Sequence, residues 1–258
     1  MHELGPIDVH QFPCLADNYG FLVRDRESGE VAAIDTPDAA RITEEAEKLG
    51  WRITHIFNTH WHPDHAGGNE AVKDRWGAEI FAPEEGGKIA VKDRIVRGGD
   101  RVILGETAFE VIAVPGHTLG HIAYHVPEAG AAFVGDTVFS MGCGRMFEGD
   151  RETFWSSLQK LKALPPETVL FCAHEYTLAN AAFALSVDPS NEALVERQAA
   201  AKAERERGEP TVPVRLADEL SVNPFLRADD QGLAASIGLE GASPAEVFGE
   251  LRRRKDAF

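Results

Sequence analysis

Three histidines and an aspartate fall within six consecutive residues of this 258-residue chain. In an extended segment, residues two apart point to the same side, so His60 and His62 are predicted to bind one metal ion together. Pro63 ends the extended segment, and Asp64 and His65, in the turn that follows, are predicted to serve a second ion. The alternative is a polar turn with exposed histidines, but the density of donors favours metal ligation.

Three further candidate ligands follow apolar runs that are typical of strands. His117, Asp136 and His174 come directly after residues 111–114, 132–134 and 169–172 and their short turns. Open α/β folds gather their ligands at the ends of successive strands. Taken singly, Asp136 could cap a turn and His174 could be a core histidine. Beside the first cluster, all three are predicted to complete the metal site.

The elements that must position these donors alternate between strands and helices. The spacing of apolar residues predicts a three-strand meander over 7–35, helices over 38–49, 66–76 and 152–164, strands over 53–57, 78–82 and 168–172, and hairpins over 101–114 and 122–134. Residues 139–149 are predicted to be a loop. The class is therefore mixed α/β, with two sheets between helices.

The character of the chain changes after residue 175. Residues 178–187 and 192–207 are Ala-rich helical segments without a strand pattern, 208–213 is a linker, and 244–253 is a final helix. We therefore expect a catalytic domain over 1–175 and a helical domain over 176–258.

Net charge, the N-terminal sequence and the cysteine spacing limit which binding partners and which cellular compartment we expect for the chain. The net charge of −16 argues against nucleic acid or an anionic membrane as a partner. No N-terminal signal segment and no membrane-spanning window are evident, and the three cysteines are distant in sequence and form no C-x-x-C pair. We expect a cytoplasmic monomer with reduced thiols.

The run His60-Trp61-His62-Pro63-Asp64-His65 resembles the H-x-H-x-D-H signature of the metallo-β-lactamase superfamily. Within it, the chain is similar along nearly its whole length to the hydroxyacylglutathione hydrolases, or glyoxalase II. The supporting stretches are residues 142–145, 147–149, 174–177, 208–213, 223–227 and 252–256.

This resemblance implies an αββα sandwich followed by a helical, glutathione-binding domain. It also implies hydrolysis of S-D-lactoylglutathione to D-lactate and glutathione by hydroxide held at two divalent ions, with Asp64 and Asp136 as catalytic residues. The ions would be zinc, with iron or manganese as alternatives. The implied ligands are His60, His62 and His117 on one metal, Asp64, His65 and His174 on the other, and Asp136 bridging both.

The resemblance also implies a set of glutathione contacts: Arg145, Phe147, Tyr176, Arg252 and Lys255. Many family members have tyrosine at position 147, and Phe147 lacks the hydroxyl that would bind glutathione. An alternative for Arg252 and Lys255 is a basic helix end that interacts with its own helix dipole.

Two other functions compete with this hypothesis. A glutathione persulfide dioxygenase with one iron shares the fold, but such proteins look shorter and lack the helical domain. A noncatalytic metal-binding relative would be expected to have lost a ligand, and none is missing. No G-x-S-x-G nucleophile motif is present.

Overall fold

In the computed structural model, which describes residues 1–258, the chain forms two compact units. The first unit comprises residues 1–113 and 120–135, and the second comprises 114–119 and 136–258. The domain boundary predicted after residue 175 stays a prediction. None of the helices is both long enough and apolar enough to cross a membrane.

The first unit contains a seven-stranded sheet whose strands follow chain order. Its first four strands are antiparallel neighbours, and the last three join in parallel after helical crossovers or a long loop. The predicted meander over 7–35 is confirmed and is extended by β1. The strands are β1 His2–Leu4, β2 Ile7–Cys14, β3 Asn18–Asp25, β4 Val31–Ile34, β5 Ile53–Phe57, β6 Glu79–Pro83 and β7 Arg94–Val96.

Four antiparallel strands of the same unit face this sheet through aromatic side chains. They are β8 Arg101–Leu104, β9 Thr107–Ala113, β10 Ile122–Val126 and β11 Ala131–Gly135. The ring of Phe57 on β5 lies 5.2 Å from that of Phe109 and 5.4 Å from that of Tyr124. The sheets therefore pack face to face, as their alternating apolar residues require.

Helices cover the outer face of the seven-stranded sheet. Helix α1, Ala39–Leu49, begins where the side chain of Asp38 accepts the amide of Arg41, and it ends at Gly50 in the left-handed conformation. Ile42 of α1 and Val72 of the following helical region belong to one buried cluster with strands of the sheet.

The predicted helix over 66–76 is instead two helices, α2 Pro63–Ala66 and α3 Asn69–Trp76. The break has a steric reason: a Cβ at Gly68 would lie 2.6 Å from the carbonyl oxygen of Thr36. The backbone between the helices must therefore approach the end of β4 closely, which only glycine permits.

The second unit is mostly helical. Its elements are the short strands β12 Val138–Phe139 and β13 Gly142–Cys143, helix α4 Arg151–Lys162, strand β14 Val169–Cys172, helices α5 Thr177–Val187 and α6 Glu192–Glu206, strand β15 Val214–Arg215, and helices α7 Leu216–Val222, α8 Gln231–Ser236 and α9 Pro244–Asp256. Phe248 of α9 packs its ring against Phe154 of α4 and Phe225. These contacts tie the last helix to the rest of the unit.

One sequence prediction is wrong in this unit. Residues 139–149 are not entirely a loop, because β12 and β13 form a hairpin. The helical region after residue 175 also contains the short strand β15, which pairs with β14. The strands β12, β13 and β15 have two residues each and are too short to produce an alternating pattern.

Candidate metal centre

The segment after β5 brings three imidazole rings together. The Nε2 atom of His60 and the Nδ1 atom of His62 are 2.9 Å apart, and the rings of His60 and His65 are centred 4.0 Å apart. His60 and His65 are almost fully buried, and His62 is half-buried. The two-residue spacing thus turns His60 and His62 to one side, as predicted.

Asp35, at the end of β4, fixes the orientation of this segment. Its carboxylate accepts the backbone amide and the hydroxyl of Thr59, each at 2.7 Å, and Nδ1 of His65 at 2.8 Å. Because the Thr59 hydroxyl donates its proton to Asp35, the Thr59 hydroxyl oxygen accepts Nδ1–H of His60 at 3.0 Å. In both histidines the Nε2 atom therefore carries the lone pair, the form that binds metals.

Asp64 is placed beside His65 at the surface of the first unit. Its Oδ2 atom lies 3.6 Å from Nε2 of His65, and the amide of Asn18 donates to the same oxygen at 3.1 Å. The amide holds the carboxylate in one direction. A lone pair and a carboxylate at this separation repel unless a cation or a proton lies near both.

The second unit carries the other three candidates. Asp136 follows β11 and directs its two oxygens to different histidines, with Oδ2 3.4 Å from Nε2 of His117 and Oδ1 3.3 Å from Nε2 of His174. All three side chains are buried. Nδ1–H of His117 donates to the carbonyl oxygen of Arg145 at 2.8 Å, so its Nε2 again carries the lone pair.

The donor set fits divalent metal ions. Neutral imidazoles with their second nitrogen held by a carboxylate, hydroxyl or carbonyl oxygen are typical metal ligands, and imidazole with carboxylate suits zinc, iron or manganese. The histidine and aspartate clusters are of the kind that fits a dimetal site.

Three predicted glutathione contacts lie beside the candidate ligands of the second unit. The ring of Phe147 is 60% exposed and is centred 5.3 Å from that of His117. Tyr176 stacks on His174, with ring centres 4.7 Å apart and planes nearly parallel. Arg145 is exposed, with its guanidinium 4.0 Å from Asp256.

The remaining two predicted contacts lie on α9. Arg252 is buried and donates to the carbonyl oxygen of Cys143 at 2.9 Å and to Asp256 at 2.9 Å. Lys255 donates to the carbonyl oxygen of Ala179 at 2.9 Å. Loss of hydration on burial, together with the charge of Arg252, lowers the pKa of Lys255 to about 8. Arg145, Arg252 and Lys255 therefore form one basic group around Asp256.

Two functional residues were missed in the sequence, Asp35 and Asn18. Asp35 follows a strand in the same way as Asp136 does, so the strand-then-carboxylate pattern could have identified it. Its backbone is in the left-handed region, φ 57°, which is uncommon for residues other than glycine. Nothing in the sequence around Asn18 indicates that it contacts Asp64.

Comparison with known proteins identifies the family. Residues 21–174 match the model of the metallo-β-lactamase superfamily, and residues 175–258 match that of the hydroxyacylglutathione hydrolase C-terminus. The chain is 58% identical over 252 residues to the hydroxyacylglutathione hydrolase of Erythrobacter litoralis, which covers 98% of this chain and 100% of that protein.

Solved structures agree on the fold. ETHE1 from Myxococcus xanthus is 24% identical and superposes with a TM-score of 0.69 over 95% of this chain and 90% of its own. A structure described as TTHA1623 in a di-iron-bound form is 25% identical, with a TM-score of 0.56 over 65% of this chain and 91% of its own. The chain therefore has the metallo-β-lactamase fold with a helical C-terminal domain, and it belongs to the hydroxyacylglutathione hydrolase family.

Proposed function

We propose that this chain hydrolyses S-(2-hydroxyacyl)glutathione thioesters, chiefly S-D-lactoylglutathione, to D-lactate and glutathione. Water adds to the thioester carbonyl carbon, the carbon–sulfur bond breaks, and the thiolate of glutathione leaves and takes up a proton. The observation that carries the proposal is the 58% identity, over nearly the whole of both chains, to a protein named for this activity. The presence of every ligand of the family signature supports it.

We propose that two divalent ions are held as the family implies. His60, His62 and His117 would hold one ion, Asp64, His65 and His174 the other, and Asp136 both. The opposite orientation of the two Asp136 oxygens, one toward His117 and one toward His174, supports a bridging role. Zinc is the proposed metal, and the di-iron form of TTHA1623 makes iron the first alternative, with manganese after it.

Such ions supply two effects when they are bound: they lower the pKa of water from 15.7 to about 7, and they polarise a carbonyl oxygen. The chain's own residues supply orientation. The carboxylate of Asp64, held by Asn18, accepts a hydrogen bond from the attacking water and directs its lone pair toward the carbonyl carbon. A thiol has a pKa of about 8.5, so the sulfur departs as thiolate without an acid to protonate it.

We propose that the basic group of the second unit binds the glutathione carboxylates. Arg145 and Lys255 are the cations with the more accessible charge, whereas the guanidinium of Arg252 is already engaged by Cys143 and Asp256. Tyr176, stacked on His174, would contact the peptide portion, and Phe147 would pack against it without a hydrogen bond.

Metal analysis and a thioester assay on the purified chain test the proposal together. We expect two metal ions per chain and loss of thioester absorbance with S-D-lactoylglutathione. The double variant Arg145→Met/Lys255→Met should raise KM at least tenfold with little change in kcat. Arg207→Met is the matched control, since Arg207 is an exposed arginine of the same unit that pairs with Glu209.

Other outcomes would replace the proposal by its alternatives. A single iron with oxygen consumption on glutathione persulfide, and no thioester cleavage, would indicate a persulfide dioxygenase. Two bound metals without turnover of either compound would indicate a noncatalytic relative.

We also propose that the chain acts as a cytoplasmic monomer without nucleic acid or membrane partners. Its three cysteines are buried free thiols, which supports a reducing compartment. Sedimentation equilibrium would test the oligomeric state, and cell fractionation would test the compartment.

A further inference from the structure

The hairpin β12–β13 joins two parts of the proposed metal site in the second unit. It begins two residues after Asp136 and ends two residues before Arg145, whose carbonyl oxygen accepts the proton of His117. A Cβ on Gly144 would lie 2.0 Å from the carbonyl oxygen of Asp136 and 2.9 Å from Nδ1 of His117. The base of the hairpin therefore packs directly against two proposed ligands.

Two side chains of α7 and its C-terminal end hold the hairpin by its backbone. The side-chain amide of Asn223 lies 3.1 Å from the carbonyl oxygen of Phe139, 2.9 Å from that of Gly142 and 2.9 Å from Oε2 of Glu219. The same Glu219 oxygen accepts the backbone amide of Met141 at 2.7 Å. One asparagine thus contacts both strands, and one glutamate contacts the turn between them.

A third side chain approaches the turn from α5. The amide of Asn180 donates to the carbonyl oxygen of Ser140 at 3.1 Å, and a Cβ on Gly142 would lie 2.4 Å from it. Met141 has φ 54°, a left-handed conformation that costs free energy in a residue with a side chain. The turn needs external contacts to keep this shape.

The three side chains that hold the hairpin, here called the hairpin clamp, are all buried: Asn223 fully, and Glu219 and Asn180 nearly so. A hairpin of two-residue strands is not stable alone. A buried donor left without its acceptor costs about 1–3 kcal/mol, so the hydrogen bonds between these side chains and the hairpin backbone stabilise the hairpin.

We propose that Asn180, Glu219 and Asn223 are positioning residues that hold the β12–β13 hairpin, and that the hairpin in turn fixes the Asp136 carboxylate and the Arg145 carbonyl for metal binding. The C-terminal helices therefore shape the metal site as well as the glutathione site. This inference rests on the proposed function only in taking His117 and Asp136 as ligands.

Asn223→Asp tests the clamp with minimal change of shape. The new carboxylate can still accept the amide of Phe225, as Oδ1 of Asn223 does now at 3.0 Å. It has no N–H group to donate, so it places an acceptor oxygen against the two hairpin carbonyl oxygens. We expect affinity for Zn²⁺, measured by competition with a chelator, to fall 10- to 100-fold, as for loss of other residues that orient ligands. Amide hydrogen exchange over residues 138–143 should become faster.

Two further variants separate positioning from general destabilisation. Asn191→Asp is the matched control: Asn191 donates to Ser221 in the same helical region, its Oδ1 accepts the amide of Leu194, and it does not contact the hairpin. Its zinc affinity should equal that of the wild type. Glu219→Gln combined with Asn223→Asp removes the repulsion between two carboxylates, so it should restore stability but not zinc affinity.

The clamp is overturned if folded Asn223→Asp keeps zinc affinity within twofold of the wild type, or if the double variant restores that affinity. Should Asn223→Asp fail to fold, Asn180→Ala removes only one bond, and we expect a three- to tenfold loss; wild-type affinity there refutes the clamp equally. If the wild-type chain cleaves no thioester, the proposed function fails, but the zinc comparison still decides this inference.

Discussion

Replacing Glu219 with glutamine removes one buried ionisable group from the second unit and keeps its shape. Burial raises the pKa of the Glu219 carboxyl from 4.5 to about 7, although the amides of Met141 and Asn223 favour the charged form. Between these two values the native state binds a proton that the unfolded chain has released. The stability that Glu219 contributes is therefore complete below pH 4.5 and is lost as the pH rises through 7.

The size of this effect follows from the two pKa values. One unit of difference corresponds to about 1.4 kcal/mol, so the wild type should lose about 2 kcal/mol through this group between pH 5.5 and 8. Glutamine can accept the same amides and does not titrate. The wild type should therefore lose about 2 kcal/mol more of its free energy of unfolding than Glu219→Gln does as the pH rises over this range.

Urea denaturation at four pH values between 5.5 and 8, with equal metal loading, measures this difference. Titrations that both proteins share cancel in the comparison. Glu240→Gln, at an exposed position, is the control and should run parallel to the wild type. Parallel curves for Glu219→Gln and the wild type would refute the raised pKa.

Three other predictions concern the two sites. Gly144→Ala should lower zinc affinity at least tenfold, because backbone lies 2.0 Å from the new Cβ. Gly232→Ala should not lower it, because the new Cβ there meets only the far end of one side chain. Competition with a chelator compares the two variants. Asp35→Asn should lower zinc affinity 10- to 100-fold, since His65 loses its anionic partner; unchanged affinity would contradict the orienting role. KM should rise about fivefold from pH 8 to 9 as Lys255 loses its charge, and Lys255→Arg should abolish this rise.

The fold was largely predictable where apolar residues repeat with a regular period. Strand β5 has the predicted bounds, and α1 begins one residue after its predicted start because Asp38 is the cap. The predictions failed where an element is too short to show a period, as in β12 and β13, or where a close backbone contact breaks a helix, as at Gly68. Such contacts depend on residues that are distant in sequence.

The amino-acid sequence alone identifies the residues whose side chains carry metal-binding donor atoms. Side-chain type and two-residue spacing are local properties, so the pairing of His60 with His62 follows from the chain alone. The orientation of these donors, in contrast, depends on contacts between segments that are distant in sequence. Asp35 reaches His65 across 30 positions, and Asn223 reaches Phe139 across 84. No local pattern encodes such contacts, because they exist only once packing has brought distant segments together.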